Sequence, residues 1–146
     1  MDPELKALGE EITDHRDCGR IHLSIEPRPP GLADERALAL SAERGGFSSV
    51  PRREINRQEA ERVATLILTR DLAYGSECIP EASAHEYLRR FLSAFAANAR
   101  FFTNGTIDGP KLHLSTWTPI TSATFDTGIF VLDETAVGFL WAEDED

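Results

Sequence analysis

Residues 117–146 read WTPITSATFDTGIFVLDETAVGFLWAEDED. Two strand-like apolar runs, Gly128 to Leu132 and Ala136 to Trp141, flank the polar turn Asp133-Glu134-Thr135, which is the pattern of a β-hairpin. With side chains alternating across a sheet, Phe130 and Leu132 share one face and Ile129 and Val131 the other, while Val137, Phe139 and Trp141 line up on the return strand. A strand apolar on both faces has to be covered, so this hairpin is expected at the centre of its sheet. After Trp141 come four acids, Glu143, Asp144, Glu145 and Asp146. A like-charge block is ordinarily a solvated end; leaving directly from a core strand, it could instead be held in place and present its charge to a partner. The backbone is expected to stay ordered to Glu143 with Trp141 packed, and removal of residues 143–146 is expected to leave stability unchanged or slightly raised by relief of self-repulsion.

Working outward, two consecutive helices precede the hairpin. Asn56 can cap the first, with Glu59 three residues on able to reach back; Ala60, Val63, Ala64, Ile67, Leu68 and Leu72 mark its apolar face. The second runs from about Pro80, with Ala84, Tyr87, Leu88, Phe91, Leu92 and Phe95 as its stripe. Thr103-Asn104-Gly105 and Asp108-Gly109-Pro110 read as turns, and Lys111 to Trp117 as a strand. Earlier in the chain, Leu5, Leu8 and Ile12 suggest a short helix ending near Gly19, and Arg20 to Glu26 alternates as a half-buried strand stopped by Pro27-Arg28-Pro29-Pro30-Gly31. Asp34 to Arg44 fits a helix capped by Asp34, and Phe47 to Val50 a brief edge strand ended by Pro51. These elements predict one α+β domain over 1–146, a largely antiparallel sheet of about four or five strands with the helix pair on one face.

The chain has 146 residues and a net charge of −10, and the excess is confined to its ends. Residues 1–19 carry six acids against Lys6 and Arg16, residues 133–146 six acids and no base, and the span between them 13 of each sign. Such ends repel phosphate backbones and anionic lipid, so neither nucleic acid nor a membrane is expected as a partner, whereas a basic protein would be steered in. No apolar run is long enough to span a bilayer and no secretory signal is visible, which predicts the cytoplasm. There, Cys18 and Cys78 are expected as free thiols.

Two tetrapeptides share one pattern, Ile21-His22-Leu23-Ser24 and Leu112-His113-Leu114-Ser115. On a strand each His stands beside its own Ser. Two such strands side by side resemble the site of the 2H phosphoesterases, which implies His22 and His113 as general base and acid and Ser24 and Ser115 as phosphate grips on cyclic or 2′,5′-linked phosphates, without a metal. The plainer reading is two polar positions on half-buried strands. His15, Cys18 and His22 stand at zinc-like spacings with only the distant Cys78 or His85 to complete them, and they are read as chance neighbours. No metal or cofactor is expected.

Asp71-Leu72-Ala73-Tyr74, Phe101-Phe102-Thr103-Asn104-Gly105, Trp117-Thr118-Pro119, Thr124-Phe125-Asp126-Thr127-Gly128 and Leu140-Trp141-Ala142-Glu143-Asp144-Glu145-Asp146 together resemble a group of small uncharacterised bacterial proteins over about residues 50–146. In size and acidity the chain also resembles immunity proteins of polymorphic toxin systems. That resemblance implies a non-enzymatic binding protein that docks on and occludes a basic effector domain such as a nuclease, with Asp133, Glu134, Glu143, Asp144, Glu145 and Asp146 as the contacts.

Overall fold

The computed structural model describes residues 2–108 and 113–146. Its centre is the expected hairpin, longer than the apolar runs alone: β6 (Phe125–Leu132) and β7 (Ala136–Asp144) pair antiparallel with Phe130 opposite Phe139 and Gly128 opposite Trp141. On the outer side of β7 lies β1 (Arg20–Pro27), and on the outer side of β6 lies β3 (Arg100–Thr103) followed by β2 (Arg53–Ile55). The order is β1-β7-β6-β3-β2, antiparallel throughout. A two-stranded ribbon, β4 (Gly105–Asp108) with β5 (His113–Trp117), continues from the end of β3. Lys111 and Leu112, read as the start of that last strand, and the turn residues Gly109 and Pro110 lie outside the described residues.

The α+β class is as the pattern predicted, and the sheet is covered on both faces. On one face, Ile129, Val131, Leu140, Ala142, Ile21 and Ile25 pack with α3 (Arg57–Thr69), α4 (Glu81–Leu92) and also α1 (Pro3–His15), which contributes Leu8 and Ile12. On the other, Phe130, Leu132, Val137, Phe139 and Trp141 pack with Ala37, Leu38 and Ala42 of α2 (Asp34–Arg44). Phe47 fills the middle of this second core, with ring centroids 5.5 Å from Phe130, 5.0 Å from Phe139 and 5.8 Å from Trp141.

That placement explains why Phe47 to Val50 is no strand. The amide of Phe47 donates to the Ala42 carbonyl at the end of α2 (2.9 Å), and the amide of Ser48 to Ile120 (2.9 Å). Gly46 makes the turn possible with φ +79°, a left-handed conformation that glycine adopts without steric cost. The edge strand forms instead at Arg53–Ile55. Asn56 caps α3 by accepting from the Glu59 amide at 2.8 Å, but the Glu59 carboxylate turns away to Arg53 (2.5 Å) rather than closing a capping box. Asp34 does not cap α2, whose N-cap is Ala33. Its carboxylate binds Arg28 (2.7 Å) and Arg100 (2.5 Å), and hydrogen bonds from Arg28 first and Arg100 next hold it below the usual carboxylate range.

Cys18 and Cys78 are not free thiols. They form a disulfide, with Cα atoms 6.5 Å apart, that joins the connection between α1 and β1 to the loop between α3 and α4. Sixty residues of sequence separate them; the packing of α1 on α4, and the bonds from Arg16 to the Ile67 and Arg70 carbonyls at the end of α3, bring those two connections together. Replacing both cysteines by serine is expected to lower the unfolding free energy by about 4 kcal/mol, the chain-entropy value for closing a loop of this length. Urea unfolding of the oxidised protein and of the Cys18→Ser/Cys78→Ser variant measures the difference.

Candidate functional site

Arg16 and Asp144 form an ion pair with both side chains fully buried. All five guanidinium hydrogens are used: Nε donates to the Ile67 carbonyl (2.6 Å), Nη1 to Asp144 Oδ1 (2.9 Å) and the Cys18 carbonyl, and Nη2 to Asp144 Oδ2 (2.7 Å) and the Arg70 carbonyl (3.2 Å). Asp144 Oδ2 also accepts from the Leu72 amide at 2.8 Å. A buried pair is tolerated only when the remaining donors and acceptors are matched in this way. Gly19 (φ +57°) runs directly against Asp144 and the Glu143 carbonyl, where a side chain has no room. Asp144 is therefore part of the core, and the strand does not end at Trp141.

The six acids expected to form one contact patch are divided by this arrangement. Asp133 and Glu134 sit at the turn of the hairpin and residues 143–146 at its open end, a strand length of roughly 30 Å away at 3.4 Å per residue. Asp133 is buried and caps the turn, accepting from the amides of Ala136 (2.7 Å), Thr135 (2.8 Å) and Ala96 (2.7 Å). Burial pushes its pKa up, but the hydrogen bonds from Ala96, Thr135 and Ala136 prevail and leave it lowered. Glu134, Glu145 and Asp146 are exposed, and Glu143 is half-buried beside His22, which it contacts through Nε2. Glu145 accepts from the Thr124 hydroxyl at 2.5 Å.

The two His-x-Ser strands do not meet. His22 and Ser24 lie on β1, the edge of the main sheet, paired with Trp141 and Phe139 of β7, whereas His113 and Ser115 lie on β5 in the separate ribbon. His22 is engaged with Glu143, His113 stands 3.6 Å from Asp108, and Ser115 bonds Thr106 (3.0 Å). A shared phosphate cleft is thus not assembled. Nor are the zinc-like residues together as ligands: Cys18 is in the disulfide, His15 Nδ1 bonds the Tyr87 hydroxyl (2.9 Å), and His85 lies 3.7 Å from Glu81.

Two features escaped the sequence. The first is an acidic groove of about 650 Å³ between α1 and β1, lined by Lys6, Glu10, Asp14 and His22, the last in contact with Glu143. The second is a buried polar centre where β3 passes into β4. Asn104 Nδ2 donates to Asp126 Oδ1 (2.7 Å) and to the carbonyls of Asp126 and Thr118 (3.0 Å each), and Asn104 Oδ1 accepts from Thr127 (2.8 Å). Asp126 further accepts from the Thr121 hydroxyl (2.6 Å) and the amides of Thr121 (2.9 Å) and Ile120 (3.1 Å). Burial, opposed by these bonds, raises its pKa. The clustering of Asn, Thr and Asp in three separate short segments is the signal the sequence carries for this centre.

Comparison with family models, with curated proteins and with solved structures returns no match.

Two measurements check this account. Asp144→Ala leaves Arg16 buried without its counter-charge and is expected to cost about 3–5 kcal/mol, whereas deletion of Glu145 and Asp146 alone should change stability by no more than about 0.5 kcal/mol; urea unfolding separates them. For Asp133, a lowered folded pKa means its contribution is complete above the unfolded value, near the ordinary 3.8 of an aspartate, and is lost as pH falls through the folded value. Asp133→Asn should consequently flatten the loss of stability below pH 3.8, seen in thermal midpoints across an acid titration.

Proposed function

We propose that the chain is an acidic binding protein that docks on a basic protein partner through the side of the fold where its two ends meet. The observation that carries this reading is the tie between those ends. Arg16 is clamped to Asp144, and β1 pairs with β7 from Arg20 opposite Glu143. The two acidic segments, separate in sequence, are thereby gathered: Glu10 and Asp14 line the groove that holds His22, His22 contacts Glu143, and exposed Asp17, Glu145 and Asp146 flank the same junction. Fixed carboxylates on one side of a protein make a field that steers a positive partner and persists after docking.

In its most specific form the partner is an effector domain such as a nuclease, and this chain is its immunity protein. A nuclease surface is positive because it must hold phosphate, so a carboxylate face competes for the same field. The contacts are then Glu10, Asp14, Asp17, Glu143, Glu145 and Asp146; Asp144 acts by holding the strand beneath them. Glu134 and Asp133, at the far end of the hairpin, fall outside the patch. Among the described residues no helix is long and apolar enough to cross a membrane. The Cys18–Cys78 disulfide favours a compartment where thiols oxidise over the reducing cytoplasm for this encounter.

The test is association with the product of the neighbouring reading frame, followed by stopped flow as a function of salt. The rate is expected to fall steeply with ionic strength, and Glu10→Lys/Asp14→Lys/Glu145→Lys to lower it about tenfold or more at low salt while leaving the thermal midpoint in place or raising it through relief of self-repulsion. A neighbouring gene of metabolism whose product does not bind, or a rate indifferent to both salt and the charge reversals, overturns the reading.

A further inference from the structure

On the opposite side of the sheet order from β1, a cavity of about 370 Å³ opens between the loop that precedes β2 and the β4–β5 ribbon. Its wall carries Arg52 and Arg53 and no carboxylate, in a chain whose net charge is −10. Arg53 is held by Glu59 (2.5 Å) and by the Gly105 carbonyl (3.0 Å). Arg52 is exposed and makes no ion pair or hydrogen bond among the described residues.

Facing the arginines are hydroxyls and an indole. The Thr106 hydroxyl bonds those of Ser115 (3.0 Å) and Thr116 (2.7 Å), and Ser115 also donates to the Thr106 carbonyl (3.3 Å); with Thr106 donating to Thr116, the Thr116 proton is left to point outward. Trp117 lines the cavity, with Phe125 stacked on it at 5.2 Å and 29°. Its Nε1–H is buried and has no acceptor among the described residues. The floor is rigid, because Asn104 is anchored by Asp126, Thr118 and Thr127. The wall therefore offers guanidinium and hydroxyl donors beside an apolar ring and carries no carboxylate.

We infer that this cavity is a binding site for a phosphorylated small molecule of the mononucleotide type. Two guanidinium groups with hydroxyl donors beside them supply more hydrogen bonds than the two oxygens of a carboxylate accept, and match the three terminal oxygens of a phosphate. The backed indole provides a flat apolar surface for a planar ring. A volume at the small end of ligand pockets suits one nucleotide rather than a strand, so the site is compatible with acidic ends that repel nucleic acid. It stands on residues apart from the acidic face and does not depend on the docking reading.

Calorimetry with inorganic phosphate, adenosine and adenosine monophosphate, together with tryptophan fluorescence, tests the site on the whole protein. Adenosine monophosphate should bind more tightly than phosphate, and adenosine alone should give no heat. Fluorescence should respond through Trp117, since Trp141 is fully buried in the second core; Trp117→Phe should erase the optical change. Arg52→Ala should weaken the nucleotide about tenfold without moving the thermal midpoint, and Arg52→Glu should abolish binding. The inference is overturned if neither phosphate nor adenosine monophosphate binds at concentrations on the order of 10 mM, or if both Arg52 variants bind as the wild type does.

Discussion

A hairpin that is apolar on both faces cannot rest on one layer of helix. Ile129, Val131 and Leu140 on one side and Phe130, Phe139 and Trp141 on the other are all buried, and leaving either set in water would expose several large side chains at roughly 1.5–3 kcal/mol each. The remaining elements fall into place under that demand. Three helices close one face, and α2 with Phe47 closes the other, so the proline-rich segment after β1 serves to carry the chain from one side of the sheet to the other. Arg28 within it donates to the Asp133 carbonyl (3.0 Å) and pairs with Asp34 (2.7 Å), fixing that crossing against the hairpin turn.

The second constraint is electrostatic. A chain with twelve acids in its two terminal segments and only Lys6 and Arg16 to oppose them gains little by bringing those segments together, yet β1 and β7 are neighbours and must do so. Arg16 absorbs part of the repulsion at the closest point, taking Asp144 into the interior and matching every donor it has. Of the rest, Asp133 is buried in the hairpin turn and Glu11 pairs with Arg90 (2.6 Å), while Glu10, Asp14, Asp17, Glu145 and Asp146 remain exposed. Self-repulsion of that kind is a cost to the folded state, and the Cys18–Cys78 bridge, which fastens the same junction, offsets it.

The class of fold was legible because periodicity alone separates strand from helix: the hairpin, the Asn56 cap and the stripes of α3 and α4 came from spacing, although Leu72 and Phe95, the last member of each stripe, lie past the helix ends at Thr69 and Leu92. What stayed hidden depended on partners distant in sequence. Nothing near Asp144 distinguishes it from Glu145, and its burial follows from Arg16, 128 residues away. The disulfide was masked by the expectation of a reducing compartment, and nothing in the spacing of Cys18 and Cys78 shows that the fold brings them together. Phe47 looked like a strand residue because a lone aromatic beside glycines says nothing about direction, and Glu59 left its capping role for Arg53 only because β2 lies where it does. Sequence order also could not say that β1 and β5 belong to different sheets, on which the twin-histidine reading turned.

The polar centre around Asn104 and Asp126 shows a different balance. Burial raises the pKa of Asp126, so the folded state holds its proton more tightly than the unfolded chain does, and ionisation at neutral pH works against folding; the penalty is relieved as pH falls through the raised value. An apolar pair of similar volume would avoid it. What the carboxylate supplies is direction: it binds the Asn104 side chain together with the Ile120 and Thr121 amides, and so fixes where β3 leaves the main sheet and the ribbon begins. The Asn104 amide, with its donors spent on Asp126 and the Thr118 carbonyl, holds the two sides of the ribbon at one separation. The cavity beside Arg52 and Arg53 owes its shape to that spacing, which a packed hydrocarbon core, free to slide and refill, would not hold as closely.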